Sequence, residues 1–393
     1  MKKILALCLV LVMVFSFAAC GGAEKKDDFK IGIICLHDEN STYDNNFIQA
    51  IYAVQKELGL KDEQVLLKVN IAEDDACYNA AAELVESGCD IVFADSFGHE
   101  TYMIQAAKEF TDVEFCHATG TKAKTEGLKN YHNAFASIYE GRFLAGVAAG
   151  MKLNEMIAAE KITAEQAVMG YVGAFNYAEV VSGLTSFYLG ARYVCPSVTM
   201  KVQYTNSWFD IAKEKEAALS LINSGCVLIS QHADSEGAPK ACEEKGVPNV
   251  AYNISTISMG PNTAIISSKI DWTPYFKLII ENYQAGKEIP VDYCGTIQTG
   301  SVALTELNTK VAAEGTQAKI DEIKAKLISG EIKVFDTSKF TVNGEVLTTY
   351  KADVIDQGDF KPETEAIKDG AFAESSDRSA PYFDIKYIDG ISE

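Results

Sequence analysis

The stretch FKIGIICLHDENSTYDNNFIQAIYAV, residues 29–54, decides the fold of this chain. Its run 31–36 is apolar, rich in isoleucine and without helical period, which predicts a buried parallel strand. A polar loop follows, and after it Phe47, Ile48 and Ile51 recur at helical spacing. Because ligands of open α/β sheets bind beyond the carboxyl ends of the strands, this loop is a candidate binding site.

The alternation of strand and helix continues beyond this stretch. Apolar runs predict strands at 64–69, 89–94 and 113–117, and amphipathic runs predict helices at 76–87 and 102–110. This spacing is typical of βαβ units, so we predict a doubly wound parallel sheet.

A second run of the same kind begins at residue 168. It predicts strands at 168–173, 199–204, 226–230 and 250–252, with helices at 177–193, 209–223 and 237–245. The two runs are similar in order and length, which predicts an α/β protein with two doubly wound lobes and a cleft between them.

Further apolar segments near 264–269, 274–284 and 295–303 indicate additional chain crossings between the lobes. Several crossings form a hinge, so we expect the lobes to close around a ligand. The predicted first lobe comprises 29–160 and about 263–288, and the second comprises 165–255 and about 292–335. Residues 336–393 form a C-terminal extension to which the sequence assigns no role.

The N-terminus has the features of a secretory signal. Two lysines precede an uncharged run at 4–19, which is too short to span a bilayer and ends in small residues before Cys20. The motif around Cys20 resembles a bacterial lipobox, in which the cysteine is lipidated. We therefore predict a signal peptide at 1–19 and a lipid-anchored tether at 20–28; the alternative is a plain secreted protein.

Composition excludes several classes of function. The chain carries 35 basic and 55 acidic residues, a net charge of −20, and loss of the two lysines in the signal would make it −22. So acidic a surface repels nucleic acid and anionic membranes, which leaves the lipid as the anchor. No CxxC pair occurs, and most of the cysteines lie in or beside apolar runs, so we predict core cysteines rather than a disulfide framework.

Several motifs carry a resemblance to a known family. Residues 139–150, YEGRFLAGVAAG, resemble the EAxYLAGVxAA-type helix of the basic membrane protein family, and residues 207–218, SWFDIAKEKEAA, resemble its SFxDPAKGKExA stretch. Shorter similarities lie at 42–44, 182–191 and 267–269. The resemblance follows the chain in order from about residue 31 to 335.

The resemblance implies the type I periplasmic-binding-protein fold, with two lobes joined by a hinge of several crossovers. It also implies an extracytoplasmic lipoprotein that binds a small nucleoside-like ligand, as the purine nucleoside receptors of the family do, and docks on an ABC permease. We expect a monomer that performs no catalysis and has no cofactor and no metal.

The resemblance also implies site residues. Tyr43 and Trp208 match the two positions that stack on a base, which would need the cleft to close. Asp44 matches the residue that reads the base edge, and Asp38 is expected to share that role or bind the ribose. Lys269 matches the lysine that holds the ribose.

Two further residues complete the predicted site. Asp95 follows the third strand and would complete the wall of the first lobe. Asn253 stands where the family often has an aspartate, so the sugar end of the predicted site departs from the pattern.

Several of the predicted site residues could instead have a purely structural role. Tyr43 could pack on Phe47 at the start of the helix, and Asp44 could be the N-cap of that helix. Trp208 could cover the helix that follows it, Asp38 could cap a turn, and Lys269 could be a surface amine.

The main rival hypothesis is a metal-binding or hydrolytic protein. Four histidines, His37, His99, His117 and His232, fall at or just after the ends of predicted strands, with Cys35 and Cys116 close by. Imidazole and thiolate bind Zn²⁺ or Cu, but no HExxH motif, nucleophile elbow or P-loop is present. Another small polar solute, such as a sugar or a free base, and a sensory domain also remain as alternatives.

Overall fold

The computed structural model describes residues 28–358 and 360–393. The predicted signal peptide, the lipid-site Cys20 and the tether up to residue 27 lie outside the described residues. Among the described residues, no helix combines the length and apolar character needed to cross a bilayer.

The first part of the chain alternates strand and helix as predicted. The elements are β1 (Ile31–Ile34), α1 (Thr42–Leu58), β2 (Val65–Lys68), α2 (Asp75–Glu86), β3 (Ile91–Ala94), α3 (Glu100–Glu109), β4 (Glu114–Ala118), α4 (Ala123–Glu126) and β5 (Tyr131–Ala136). These strands pair in parallel, with β1 between β2 and β3. Every β1 residue is buried, as its isoleucine-rich sequence requires.

The second run also follows the predicted pattern. After α5 (Ile138–Ala158) come β6 (Val168–Gly173), α6 (Ala178–Val194), β7 (Thr199–Tyr204), α7 (Ile211–Asn223), β8 (Leu228–His232), α8 (Gly237–Lys245) and β9 (Asn249–Tyr252). Its strands form a second parallel sheet in which β6 lies between β7 and β8.

Helix α5 packs with the second lobe, not with the first lobe as the boundary at residue 160 predicted. Two glycines allow α5 and α6 to approach closely: a Cβ at Gly146 would lie 2.0 Å from Phe187 O, and one at Gly190 would lie 2.0 Å from Phe143 O. The small residues of the motif at 139–150 therefore let another helix pack closely on α5. The sequence of the motif alone does not predict which helix this is.

The chain then crosses between the lobes again. The elements are β10 (Ala264–Ile270), α9 (Thr273–Gln284), β11 (Asp292–Gly295), β12 (Val302–Leu304) and α10 (Thr316–Ser329). Strand β10 pairs with β9 and β12 in the second sheet, whereas β11 pairs with β5 in the first.

The predicted lobe assignments of these segments therefore need correction. Within 263–288, β10 belongs to the second lobe and α9 packs on α1 in the first; within 292–335, β11 belongs to the first lobe. An apolar run predicts a strand but not which sheet has an open edge to receive it. The hinge of several crossovers is nevertheless present.

The C-terminal extension is ordered against both lobes. Its short strands are β13 (Lys351–Ala352), β14 (Thr364–Glu365), β15 (Ile367–Lys368), β16 (Ala371–Phe372) and β17 (Ile391–Ser392). Strand β17 adds a parallel edge to β7 in the second lobe. Ser379 N–H donates to both carboxylate oxygens of Asp292 in the first lobe, at 3.3 and 3.1 Å.

Candidate functional site

A cavity lies between the lobes at the carboxyl ends of the strands. The loops after β1, β3 and β4 form its first-lobe wall, and the loops after β6, β7 and β8 form its second-lobe wall. Its volume is only about 20 Å³, far below the roughly 300 to 1,000 Å³ typical of small-molecule sites, so the lobes must separate to admit a ligand.

Three contacts join the lobes around this cavity. The N–H of Thr42, at the start of α1, donates to Asp234 O in the second lobe at 2.8 Å. The rings of His37 and Phe209 lie 5.3 Å apart, and those of Phe97 and Tyr177 lie 6.0 Å apart. The cleft is therefore closed around the cavity.

The structure brings the two predicted aromatic residues to the same cavity. Tyr43 lines its first-lobe side and donates its hydroxyl to Asp95 O at 2.8 Å. Trp208 lines the second-lobe side, with its ring edge-on to Phe175 at 5.0 Å. Tyr43 also packs edge-on against Phe47 at 4.9 Å. It therefore has the structural role expected at the start of the helix as well as a place in the cavity wall.

Asp44 lines the cavity but is not the helix cap. Ser41 is the N-cap of α1, and its hydroxyl also donates to Asp44 Oδ2 at 2.5 Å. Asp44 Oδ1 accepts the His37 N–H at 2.8 Å. Hydrogen bonds from His37 and Ser41 lower the pKa of Asp44 although burial opposes them. Asp44 is thus a fixed carboxylate in the wall.

Asp95 supports this wall from behind. It is fully buried, and its Oδ1 accepts the Leu36 N–H at 3.1 Å. Burial and the neighbouring Asp44 charge raise the pKa of Asp95 well above its usual range. The pKa of Asp95 is therefore far above that of Asp44, and Asp95 retains its proton at a pH at which Asp44 is ionised.

Cys35, Asp44 and Asp95 converge within 4.8 Å, and in the part of the chain that the structure describes they form the one group that could hold a metal ion. Both oxygens of Asp44 already accept hydrogen bonds from the chain. Burial and the two carboxylates raise the pKa of the Cys35 thiol well above its usual range. Hydrogen bonds within the cavity wall explain why these three side chains lie close together, and we assign no metal to the group.

The second lobe contributes two carboxylates that the sequence analysis did not select. Asp234 follows β8, and its Oδ1 accepts from Asn253 Nδ2 at 3.2 Å. Burial, with the charges of Glu214, Asp44 and Glu179, raises the pKa of Asp234 well above its usual range.

Glu179 is the second of these carboxylates. It lies in the first turn of α6, and its Oε1 is 3.3 Å from His232 Nε2. Burial lowers the pKa of His232 to about 4, so the ring is neutral at pH 7 and can donate from Nε2 to Glu179.

The loop that carries Asp234 is held in place by its own lobe. The Asp234 N–H donates to Trp208 O at 2.8 Å, which joins the loops after β7 and β8. The buried Glu214 accepts the Ser235 N–H at 3.2 and 3.1 Å and the Asp210 N–H at 3.1 Å. Asp210, at the N-cap of α7, thus belongs to the support of Trp208.

Besides Asp95, three predicted residues do not line the cavity. Asp38 accepts the backbone and side-chain N–H groups of Asn40 at 3.0 and 2.8 Å, as a turn residue does. Asn253 lies behind Asp234. Lys269 is on β10, and its Nζ lies 3.6 Å from Asp271 Oδ2. None of the three is available in this arrangement to hold a sugar in the cavity.

The strand-end histidines serve mainly as internal hydrogen-bond partners. His37 and His232 line the cavity, whereas His99 and His117 are buried with Nε2 at 2.9 Å from Ile71 O and 2.7 Å from Ser96 O. Burial lowers the pKa of His117 to about 4. These contacts give no support to the hydrolytic hypothesis.

The missed residues had recognisable signals. Asp234 follows β8, as Asp95 follows β3, and these two strands have equivalent places in the two sheets. Glu179 occupies the first turn of the helix after β6, as Asp44 occupies the first turn of the helix after β1. Comparison of the two halves would have indicated both acids.

Comparison with known proteins agrees with this arrangement. Residues 34–338 match the family model described as ABC transporter substrate-binding protein PnrA-like. The chain is 31% identical over 349 residues to a purine-binding protein of Brucella abortus, covering 86% of this chain and 93% of the relative. It is also 32% identical over 258 residues to a Haloferax volcanii protein named as a candidate ABC transporter glucose-binding protein, covering 66% of this chain and 62% of that protein.

Solved structures confirm the predicted fold. The chain is similar to an ABC transporter solute-binding protein from Conexibacter woesei, with a TM-score of 0.63 and 20% identity over 78% of this chain and 98% of the other. A solute-binding protein from Aeropyrum pernix gives 0.64 and 15% over 78% and 93%. The chain therefore has the type I periplasmic-binding-protein fold.

Proposed function

Since the chain belongs to the family of PnrA-like ABC transporter substrate-binding proteins, we propose that it captures a purine between its lobes and presents it to a membrane permease. Proteins of this class act outside the cytoplasm and bind solutes. The protein would perform no covalent chemistry, because its part in transport is capture, closure and release.

The observation that carries this proposal is the pair of aromatic side chains, Tyr43 and Trp208, at one cavity that three acids also line: Asp44, Glu179 and Asp234. A purine is a flat ring with polar edges. Aromatic side chains bury its faces, and acids can accept hydrogen bonds from its ring and amino N–H groups. The purine-binding relative from Brucella supports the same ligand class.

Within this class we favour a free base over a nucleoside. The cavity is small, and the residues expected to hold a ribose, Asp38, Asn253 and Lys269, do not line it. Both ligands need the lobes to move apart from this arrangement, and a base needs less separation than a nucleoside does.

The direct test is isothermal titration calorimetry of the purified protein against adenine, guanine, their nucleosides, glucose and Zn²⁺. We expect the bases to bind more tightly than their nucleosides. Tighter nucleoside binding would restore the nucleoside hypothesis. Binding of glucose alone would contradict a purine ligand, and binding of Zn²⁺ alone would favour the metal hypothesis.

The remaining parts of the proposal concern attachment and assembly. We propose that Cys20 carries the lipid that holds the protein at the membrane and that the protein works there as a monomer. Labelling of cells with an alkyne fatty acid tests the first part, because Cys20→Ser should abolish labelling and release the protein from the membrane. Light scattering of the lipid-free protein tests the second.

A further inference from the structure

The C-terminal extension, residues 336–393, is attached to the second lobe, and almost all of it lies beyond the part of the chain that the family model matches. Its strand β17 pairs in parallel with β7, and the Met200 N–H donates to Gly390 O at 2.9 Å. The Tyr188 hydroxyl, on α6, donates to Asp389 O at 3.3 Å. The end of the extension is therefore part of the second-lobe sheet.

The same extension is bonded to the first lobe by polar contacts. Thr121, in the loop after β4, donates its hydroxyl to Asp356 Oδ2 at 2.6 Å. Lys124 Nζ, on α4, donates to Asp377 O at 2.6 Å. The loop after β4 also carries Thr119, which lines the cavity. These contacts therefore hold the extension against an edge of the first lobe that adjoins the cavity.

The two attachments differ in strength. On the second-lobe side, the buried ring of Phe383 stacks on Phe335 at 4.3 Å, and Phe335 packs on Tyr139 of α5 at 5.3 Å. On the first-lobe side, the contacts of Thr121 and Lys124 are individual bonds between partly exposed groups. When a hinge opens, one segment cannot follow both lobes, so we expect the extension to stay with the second lobe.

We propose that the C-terminal extension is a tie between the lobes, which restrains opening of the cleft through first-lobe contacts that opening has to break. This inference goes beyond the proposed function, because it concerns the equilibrium between open and closed forms whichever solute binds. Since the lobes must separate to admit a ligand, the tie lowers the fraction of time for which the site is accessible.

The Thr42 N–H reports on opening without a ligand. It lies in the first turn of α1, where an N–H has no partner within the helix, and it donates across the cleft to Asp234 O at 2.8 Å. The Asn45 N–H instead donates to Ser41 O at 3.0 Å at the start of the same helix. The ratio of the hydrogen-exchange rates of Thr42 and Asn45 therefore measures how often the cleft opens.

The test variant combines Lys124→Ala with Asp356→Ala, which removes both polar contacts. Hydrogen exchange resolved to single residues should be at least about threefold faster at Thr42 relative to Asn45, because loss of one hydrogen bond changes an equilibrium by a factor of about two to ten. An unchanged ratio would overturn the inference. If the double variant does not fold, Lys124→Ala alone, at an exposed side chain, should give a smaller rise, and no rise there would overturn the inference as well.

The matched control is Lys368→Ala, which also removes one lysine but breaks an ion pair with Asp377 inside the extension. It should leave the Thr42 ratio unchanged, and a rise equal to that of the test variant would contradict the assignment to the first-lobe contacts. Because these measurements use no ligand, a failure to bind any purine would end the proposed function and leave this inference unaffected.

Discussion

Replacement of Thr42 by proline should separate cleft closure from folding. Thr42 is the first residue of α1, and its N–H crosses the cleft to Asp234 O at 2.8 Å. Proline is favoured at this helical position because it has no N–H to lose to the helix. The preceding Ser41 has φ −77° and ψ 128°, the extended conformation that a following proline requires.

The magnitude follows from what the closed form loses. One hydrogen bond contributes about 0.5–1.5 kcal/mol, and a buried carbonyl left without a partner costs about 1–3 kcal/mol. The proline ring would also lie where the N–H of Thr42 now approaches Asp234 O. Since about 1.4 kcal/mol corresponds to a factor of ten in affinity, ligand affinity should fall by at least about tenfold.

The assay pairs calorimetry with adenine and thermal unfolding of the free protein. The control is Thr42→Ala, which keeps the N–H and removes a hydroxyl for which the described residues provide no hydrogen-bond partner. We expect weaker binding for the proline variant only, with an unfolding temperature at or above that of the wild type. Equal affinity of the two variants would refute the closure argument, and a large fall in unfolding temperature would show that proline disrupts the helix instead.

Three further predictions concern other parts of the molecule. Trp208→Ala should lower purine affinity at least tenfold by calorimetry, because stacking on an aromatic ring contributes about 1–3 kcal/mol per base; unchanged affinity would remove Trp208 from the site. Burial raises the pKa of Glu374 from 4.5 to about 8, so its stabilising contribution is complete below pH 4.5 and is lost as the pH rises through 8. The unfolding temperature of Glu374→Gln should therefore fall less between pH 5 and 9 than that of the wild type, and parallel curves would contradict this. Removal of residues 389–393 should lower the unfolding temperature and promote aggregation, because it exposes the edge of β7; light scattering that matches the full chain would argue against it.

The elements of both lobes could largely be predicted from local pattern. Strand β1 is apolar throughout because both faces of its sheet are covered, and the polar loop and helix after it follow from residue spacing. It was harder to predict from the sequence which of the two sheets a strand joins. Strand β10 joins the second sheet and β11 the first because those edges are open to them, a property of the assembled lobes rather than of either strand.

The site could be predicted where side chains follow the ends of central strands. Tyr43, Asp44 and Trp208 reach the cavity for this reason. Lys269 does not, because a motif fixes its place along β10 but not the direction of its side chain, which lies beside Asp271. Asp234 was not predicted, although its loop after β8 has a place in the second lobe equivalent to that of Asp95 after β3 in the first.

Closure of this cleft brings four acids toward one another. Asp44 and Asp95 come from the first lobe and Asp234 and Glu179 from the second, and the charge of Asp44 contributes across the cleft to the raised pKa of Asp234. The three contacts that join the lobes around the cavity, a backbone hydrogen bond and two ring pairs, lie among these acids. Closure is opposed by the cost of bringing the Asp44 charge toward Asp234, and the raised pKa of Asp234 reflects that cost. Asp234→Asn removes the ionisable group and should favour the closed form, whereas Thr42→Pro removes the hydrogen bond across the cleft and should oppose it.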